Sequence, residues 1–126
     1  MKKAVFSAKY ANEFANPRNL VAGMINQKNG EPAKYQDLSF VIYEVLHPPN
    51  LNPAAQLAFL EKRSFPEIVQ YKLSPAPLTN EILSALLLKW RLEYAYEIDG
   101  LVCSQDAVFP RAKGNPEYAF AFKMII

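Results

Sequence analysis

The sequence predicts a mixed α and β domain, of α+β or α/β type, in which helices pack on an antiparallel sheet. Leu38 to Leu46, Glu97 to Ser104 and Tyr118 to Ile126 alternate with the period of two that strands require. Pro53 to Arg63 and Thr79 to Glu93 instead place apolar residues three and four apart, the spacing of one helix face. With 126 residues, 51% of them hydrophobic, the chain can bury one modest core and falls outside the composition of disorder.

Residues 1–15 mix Lys2, Lys3, Lys9 and Tyr10 with apolar positions and read as the tail of a larger domain. A short helix then runs from Pro17 to about Asn26. Pro17 suits the first helical position because its missing N–H has no partner there anyway. The Asn16 side chain can cap the free N–H groups of the same turn. Arg18 sits at the positive end of the helix dipole, which leaves two readings: a surface arginine in water, or half of an anion site shared with the helix N-terminus. Lys28-Asn29-Gly30 supplies the turn that follows.

Leu38 to Leu46 is the clearest strand. Phe40, Ile42 and Glu44 fall on one face and Val41, Tyr43 and Val45 on the other, so both faces are expected to be largely buried. His47-Pro48-Pro49-Asn50 stops it. His47, the single histidine, lies beside two prolines and reads as a loop residue rather than a catalytic one. The next helix turns Leu57 and Leu60 inward and carries Lys62 and Arg63 in its last turn, where cations suit the dipole. Phe65 to Leu73 forms a connection and a short strand. Pro75-Ala76-Pro77 is stiff, Thr79 or Asn80 caps the following helix, and Leu83, Leu86, Leu87, Trp90 and Tyr94 make its apolar stripe. Trp90 reads as core, with base stacking a second possibility.

In the last third, Gly100 marks a place of close approach to the backbone. Gln105 to Pro116, with Asp106, Arg111, Lys113 and Gly114, is a locally basic loop. On the final strand Lys123 shares its face with Ala119 and Ala121, whose small side chains leave room for a ligand before the ammonium. An ordinary exposed strand lysine is the alternative.

The formal charge of +2 is too small to imply nucleic-acid binding, so any such surface must come from local clustering. One cysteine, Cys103, excludes an internal disulfide and a thiolate zinc cluster and suits a reducing cytoplasm. The Met-Lys-Lys start is not followed by a signal-peptide pattern, and apolar runs such as Ala85 to Leu88 are far too short to span a membrane. A soluble protein is expected.

Three stretches carry a family resemblance. Phe14-Ala15-Asn16-Pro17-Arg18-Asn19, continuing to Ala22-Gly23, resembles the F-A-N-P-R-N-x-A-A-G signature of the adenylation (nucleotidyltransferase) domain of NAD-dependent DNA ligases. Ile98-Asp99-Gly100-Leu101-Val102 is similar to its I-D-G-V-V strand, and Pro116 to Lys123 to its P-R-W-A-x-A-F-K strand. The order matches too, and the phrasing resembles virus- or phage-like members. The resemblance implies that residues 1–126 are the C-terminal part of such a domain, with a partial nucleotidyltransferase fold of the ATP-grasp-like kind. It implies NAD and Mg2+ as cofactors, nicked duplex DNA as partner, and a cytoplasmic or host-cytoplasmic location. Lys123 would be the cation on the AMP phosphate. Arg18 would grip the nucleotide or nick 5′-phosphate, and the two would converge on one phosphoryl group. Asp99 would help hold magnesium, Gly100 would admit the nucleotide, and Lys113 would face DNA.

The match has gaps. The family lysine five residues after the I-D-G aspartate falls on Ser104, with Lys113 a neighbouring stand-in. A second family arginine falls on Asn26, and the arginine of P-R-W falls on Glu117. No lysine is followed two and three residues later by Asp-Gly, so the nucleophile motif K-x-D-G is absent. The expectation is therefore an excised, truncated or split piece that does not self-adenylate alone, and whose sheet leaves apolar surface uncovered. The alternative is a non-catalytic remnant that binds nicked DNA or nucleotide.

Overall fold

A computed structural model describes residues 1–63, 65–110 and 116–124. The described elements are α1 (Lys3–Lys9), α2 (Pro17–Ile25), α3 (Pro32–Tyr35), α4 (Pro53–Glu61), α5 (Asn80–Glu93), β1 (Gly100–Ser104) and β2 (Ala119–Lys123). The chain divides into two compact units, Met1–Ser39 with Leu88–Ile98, and Phe40–Leu87 with Asp99–Ile126. The fold is α+β, and its described sheet has two antiparallel strands.

In the first unit, Phe6 of α1 and Tyr10 just beyond it are four residues apart, as are Leu20 and Met24 of α2. Together they form a buried cluster flanked by Met1, Val5, Phe14 and Leu38. The leader that composition alone left as a tail is thus a helix that supplies half of this core. Lys3 anchors it: its N–H donates to the Ala95 carbonyl at 2.8 Å, and its ammonium donates to the Arg91 carbonyl at 2.8 Å. The second contact places a cation on a carbonyl in the last turn of α5, where the dipole is negative.

Asp37 is the polar hub of this unit. One carboxylate oxygen accepts from the Tyr10 hydroxyl at 2.5 Å and the other from the Lys9 ammonium at 2.9 Å. The Tyr10 hydrogen bond, with Lys9 behind it, holds the Asp37 carboxyl below its usual range. The same bond, with burial, pushes Tyr10 up to about 12.

In the second unit the expected strand Leu38–Leu46 is not one. Only Ile42 pairs, in an isolated parallel bridge with Ile68, its N–H donating to Glu67 and its carbonyl accepting from Val69. The short strand expected in Phe65–Leu73 is limited to that same bridge. The Val45 N–H is taken at 3.0 Å by the Gln56 side chain of α4, so a helix side chain replaces a ladder partner. Gln56 also donates to the Leu51 carbonyl at 2.9 Å, closing the loop around His47–Asn50. Burial is correspondingly partial on both sides. Val45 is buried and Val41 and Ile42 are part-buried, but Phe40 is 80% exposed and Tyr43 and Leu46 lie open as well, whereas the sequence predicts that both faces are largely covered.

α5 forms as expected, whereas α4 ends at Glu61, so that Lys62 is its C-cap and Arg63 lies beyond it rather than in the last turn where the sequence expects both. Thr79, not Asn80, caps α5, its hydroxyl accepting from the Ile82 N–H at 3.2 Å. Leu83 and Leu87 are buried, whereas Trp90 is only half-buried and so belongs to the core in part. No helix among the described residues is long and apolar enough to cross a membrane.

The Asp37 hub gives the first unit a signed pH dependence. A depressed carboxyl pKa means that the unfolded chain binds the proton more tightly. Its stabilisation is present above the ordinary carboxylate range and is lost as pH falls through the folded value. The raised Tyr10 acts at the other end, from the ordinary value of 10.0 up to about 12. Asp37→Asn should therefore flatten the acid limb of urea midpoint against pH; wild-type and variant curves that stay parallel would contradict the assignment.

Candidate functional site

The site begins with the β1–β2 pairing. Gly100 faces Lys123, Leu101 faces Phe122, Val102 faces Ala121, Cys103 faces Phe120 and Ser104 faces Ala119. Residues opposite one another share a face, so Leu101, Cys103, Phe120 and Phe122 lie on one side. Leu101 and Cys103 are buried there, and burial pushes the Cys103 thiol up, which keeps the lone cysteine protonated and unsuited to nucleophilic work at neutral pH. The other face holds Gly100, Val102, Ser104, Ala119, Ala121 and Lys123. The expectation that Lys123 stands among small neighbours is met on its own strand and extended by the partner strand.

Asp99 immediately precedes β1, and its carboxylate lies 3.5 Å from the Lys123 ammonium. Both side chains are well exposed, 79% for Asp99 and 64% for Lys123, so water screens the pair and leaves it free to exchange partners. Gly100 has a local reason to be glycine. A Cβ there would meet the Phe122 carbonyl oxygen at 2.7 Å and Lys123 Cγ at 3.0 Å. The close approach it permits is that of β2. Three residues singled out from the sequence, Asp99, Gly100 and Lys123, are thus gathered at one end of the hairpin.

Arg18 belongs to the first unit. Asn16 accepts from the Asn19 N–H at 2.9 Å and caps α2 as the sequence predicts, while Pro17 and Leu20 bury the inner side of the turn. Phe14 packs beside the same core. Arg18 is left exposed on the outer side, makes no hydrogen bond or ion pair with a described residue, and has no acid in its helical turn to neutralise it. It is a guanidinium available to an anion. Lys113 and Arg111 lie outside the described residues. His47 is exposed in its loop. A shallow apolar depression lined by Val41, Ile42, Tyr43, Glu44 and Leu46 holds none of the predicted site residues.

No three His, Cys, Asp or Glu side chains gather to hold a metal among the described residues. Asp99 offers a single carboxylate. That fits a magnesium ion held mainly by phosphate oxygens and water, and does not fit an all-protein metal cage.

The family model for the NAD-dependent DNA ligase adenylation domain matches residues 4–125, and the chain belongs to that family. Relatives come from viruses and bacteria. The DNA ligase of Acanthamoeba polyphaga mimivirus is 34% identical over 91% of this chain and 18% of its own length. Protein 205R of Invertebrate iridescent virus 6, which bears a DNA ligase name, is 33% identical over 98% of this chain and 22% of its own length. The DNA ligase of Desulfitobacterium hafniense is 31% identical over 87% of this chain and 18% of its own length. The chain therefore spans about a fifth of these relatives, and its likeness is to both lineages. No solved structure matches it.

One residue that positions the hairpin loop carried no local signal. The Asp106 carboxylate accepts from Asn52 Nδ2 and from the Ala54 N–H, both at 2.9 Å, capping α4 from fifty-two residues beyond Ala54. Asn52, at the cap position, does not cap α4 with its own side chain. Beyond β1, the Gln105 N–H donates to the Tyr118 carbonyl at 3.0 Å, and Phe109 stacks on Tyr118 with centroids 4.1 Å apart and rings 2° from parallel. Removal of the cap in Asp106→Ala should cost about 0.5–1 kcal/mol in urea unfolding, with Asp106→Asn losing less. Equal stability of wild type and Asp106→Ala would count against this cap.

Proposed function

We propose that this chain is the C-terminal part of the adenylation domain of an NAD-dependent DNA ligase, and that it supplies phosphate contacts for nick sealing in replication or repair. In this reading the chain has part of a nucleotidyltransferase fold and works in the cytoplasm, or in a host's cytoplasm if viral. The nucleophile belongs to polypeptide outside this sequence, in a K-x-D-G segment. That lysine would take AMP from NAD with release of nicotinamide mononucleotide, the AMP would pass to the 5′-phosphate of a nicked duplex with release of the lysine, and the 3′-hydroxyl would attack that phosphate and release AMP.

Negative charge on the phosphoryl oxygens must be held at each displacement, and fixed cations do this without rearrangement. Lys123 contributes a compact ammonium at the end of β2. Arg18 contributes a planar fork that can hold two phosphate oxygens of the nucleotide or nick end. Gly100 lets β2 come close enough to seat Lys123 beside Asp99, and Lys113 contacts the DNA backbone in place of the lysine replaced by Ser104. Magnesium, when bound, neutralises charge on the phosphoryl oxygens, and Asp99 holds it or its waters.

The observation that carries this reading is the gathering of Asp99, Gly100 and Lys123 at one hairpin end in a chain of this family. The absence of K-x-D-G from the sequence favours a second reading, a non-catalytic module that binds nicked DNA or nucleotide.

One experiment separates them. This chain is mixed with a separately produced chain that carries K-x-D-G, together with labelled NAD and nicked duplex. The ligase reading expects covalent AMP and sealed product only in the mixture. Arg18→Lys, which keeps the charge but loses the fork, should lower phosphate affinity roughly tenfold. No rescue with both pieces folded would defeat the ligase reading. Salt-dependent binding to nicked duplex without covalent AMP would favour the second.

A further inference from the structure

The geometry points to Asp99 as an internal competitor for the phosphoryl group on Lys123: with no ligand bound, its carboxylate occupies the ammonium and sets which anions can take its place. The inference rests on the reading of Lys123 as a phosphate ligand and deepens it.

The pairing is built into the ladder. Gly100 is the register partner of Lys123, and Asp99 is the residue next to Gly100, so the hairpin itself holds the two charges at one end. The distance of 3.5 Å leaves an ion pair with loose geometry, and the exposure of both groups keeps it exchangeable. Lys123 makes no other ion pair with a described residue. Its strand face offers only Gly100, Val102, Ser104, Ala119 and Ala121, none of which carries charge. An arriving anion therefore meets an ammonium already neutralised.

Such an arrangement selects by charge. A monoanion gains little by exchanging with a carboxylate of equal charge that is tethered in place. A phosphate dianion gains more from the same ammonium, and keeps the exchange favourable when other groups hold the rest of the ligand. Asp99 thus sets a threshold that free AMP, a dianion, passes and chloride or acetate do not, and that a monoanionic phosphate such as those of NAD passes only when other groups hold the rest of the ligand.

The test is a titration of AMP into the full chain, followed by phosphorus NMR in EDTA at low salt, so that metal binding by Asp99 plays no part. Asp99→Asn should bind AMP about two- to fivefold more tightly than wild type, the range expected for releasing an exposed pair. Glu117→Gln removes the same charge before the other end of β2 and should leave affinity unchanged. Lys123→Ala should abolish binding, and Asp99→Asn added to Lys123→Ala should then give no gain. Added chloride should narrow the difference between Asp99→Asn and wild type. An Asp99→Asn affinity equal to or below wild type, an equal gain from Glu117→Gln, or a gain that survives without Lys123 would overturn the inference. Undiminished AMP binding in Lys123→Ala would overturn the Lys123 reading and this inference together, whereas loss in Lys123→Ala with no gain in Asp99→Asn overturns only the role given to Asp99.

Discussion

The register of one short hairpin is the constraint on which the candidate site depends. Because side chains alternate along a strand, a slip of one residue in the β1–β2 pairing would flip one strand against the other and put Lys123 on the same side as Leu101 and Cys103. The observed register puts those two inward and leaves the lysine on a face of small residues. It also puts Asp99 beside the ammonium, with Gly100 allowing the backbones to approach. Burial on one face therefore fixes the chemistry on the other. Asp106 and the Phe109–Tyr118 stack tie the loop beyond this ladder, the first to the start of α4 and the second to the strand's own entry.

What was legible in the sequence is what local chemistry decides. Asn16 before Pro17 specifies a capped helix start with no reference to the rest of the chain, and α2 begins there. The three-and-four spacing of Leu83, Leu86 and Leu87 specifies a helix in the same way. Alternation gave the two strands of the hairpin and the face that carries Lys123. What was not legible depends on distant partners. Leu38–Leu46 has strand composition, but a strand is completed by its neighbours; here the Val45 N–H turns to Gln56 and only Ile42 enters a bridge. Asp106 is a carboxylate in a loop until the fold brings α4 to it. α1 is not legible because seven residues with three charged or polar side chains carry little periodicity, and its place comes from packing Phe6 and from the Lys3 anchor.

The gap between α+β architecture and a full sheet is consistent with the position of this chain within its relatives, whose sequences are several times longer. Phe40, Leu92 and Val102 are each at least 80% exposed, and all three lie in or beside elements whose other faces are packed. Arg18 stands on a capped helix and Lys123 on a registered strand.

The most direct measurement observes both cations at once. Side-chain nitrogen NMR of Lys123 and Arg18 during a titration with AMP reports whether one ligand reaches both. Convergence on a common phosphoryl group predicts that the ammonium and guanidinium signals shift together along a single binding curve. A Lys123 signal that moves while Arg18 stays silent, or two signals that follow separate curves, would contradict it.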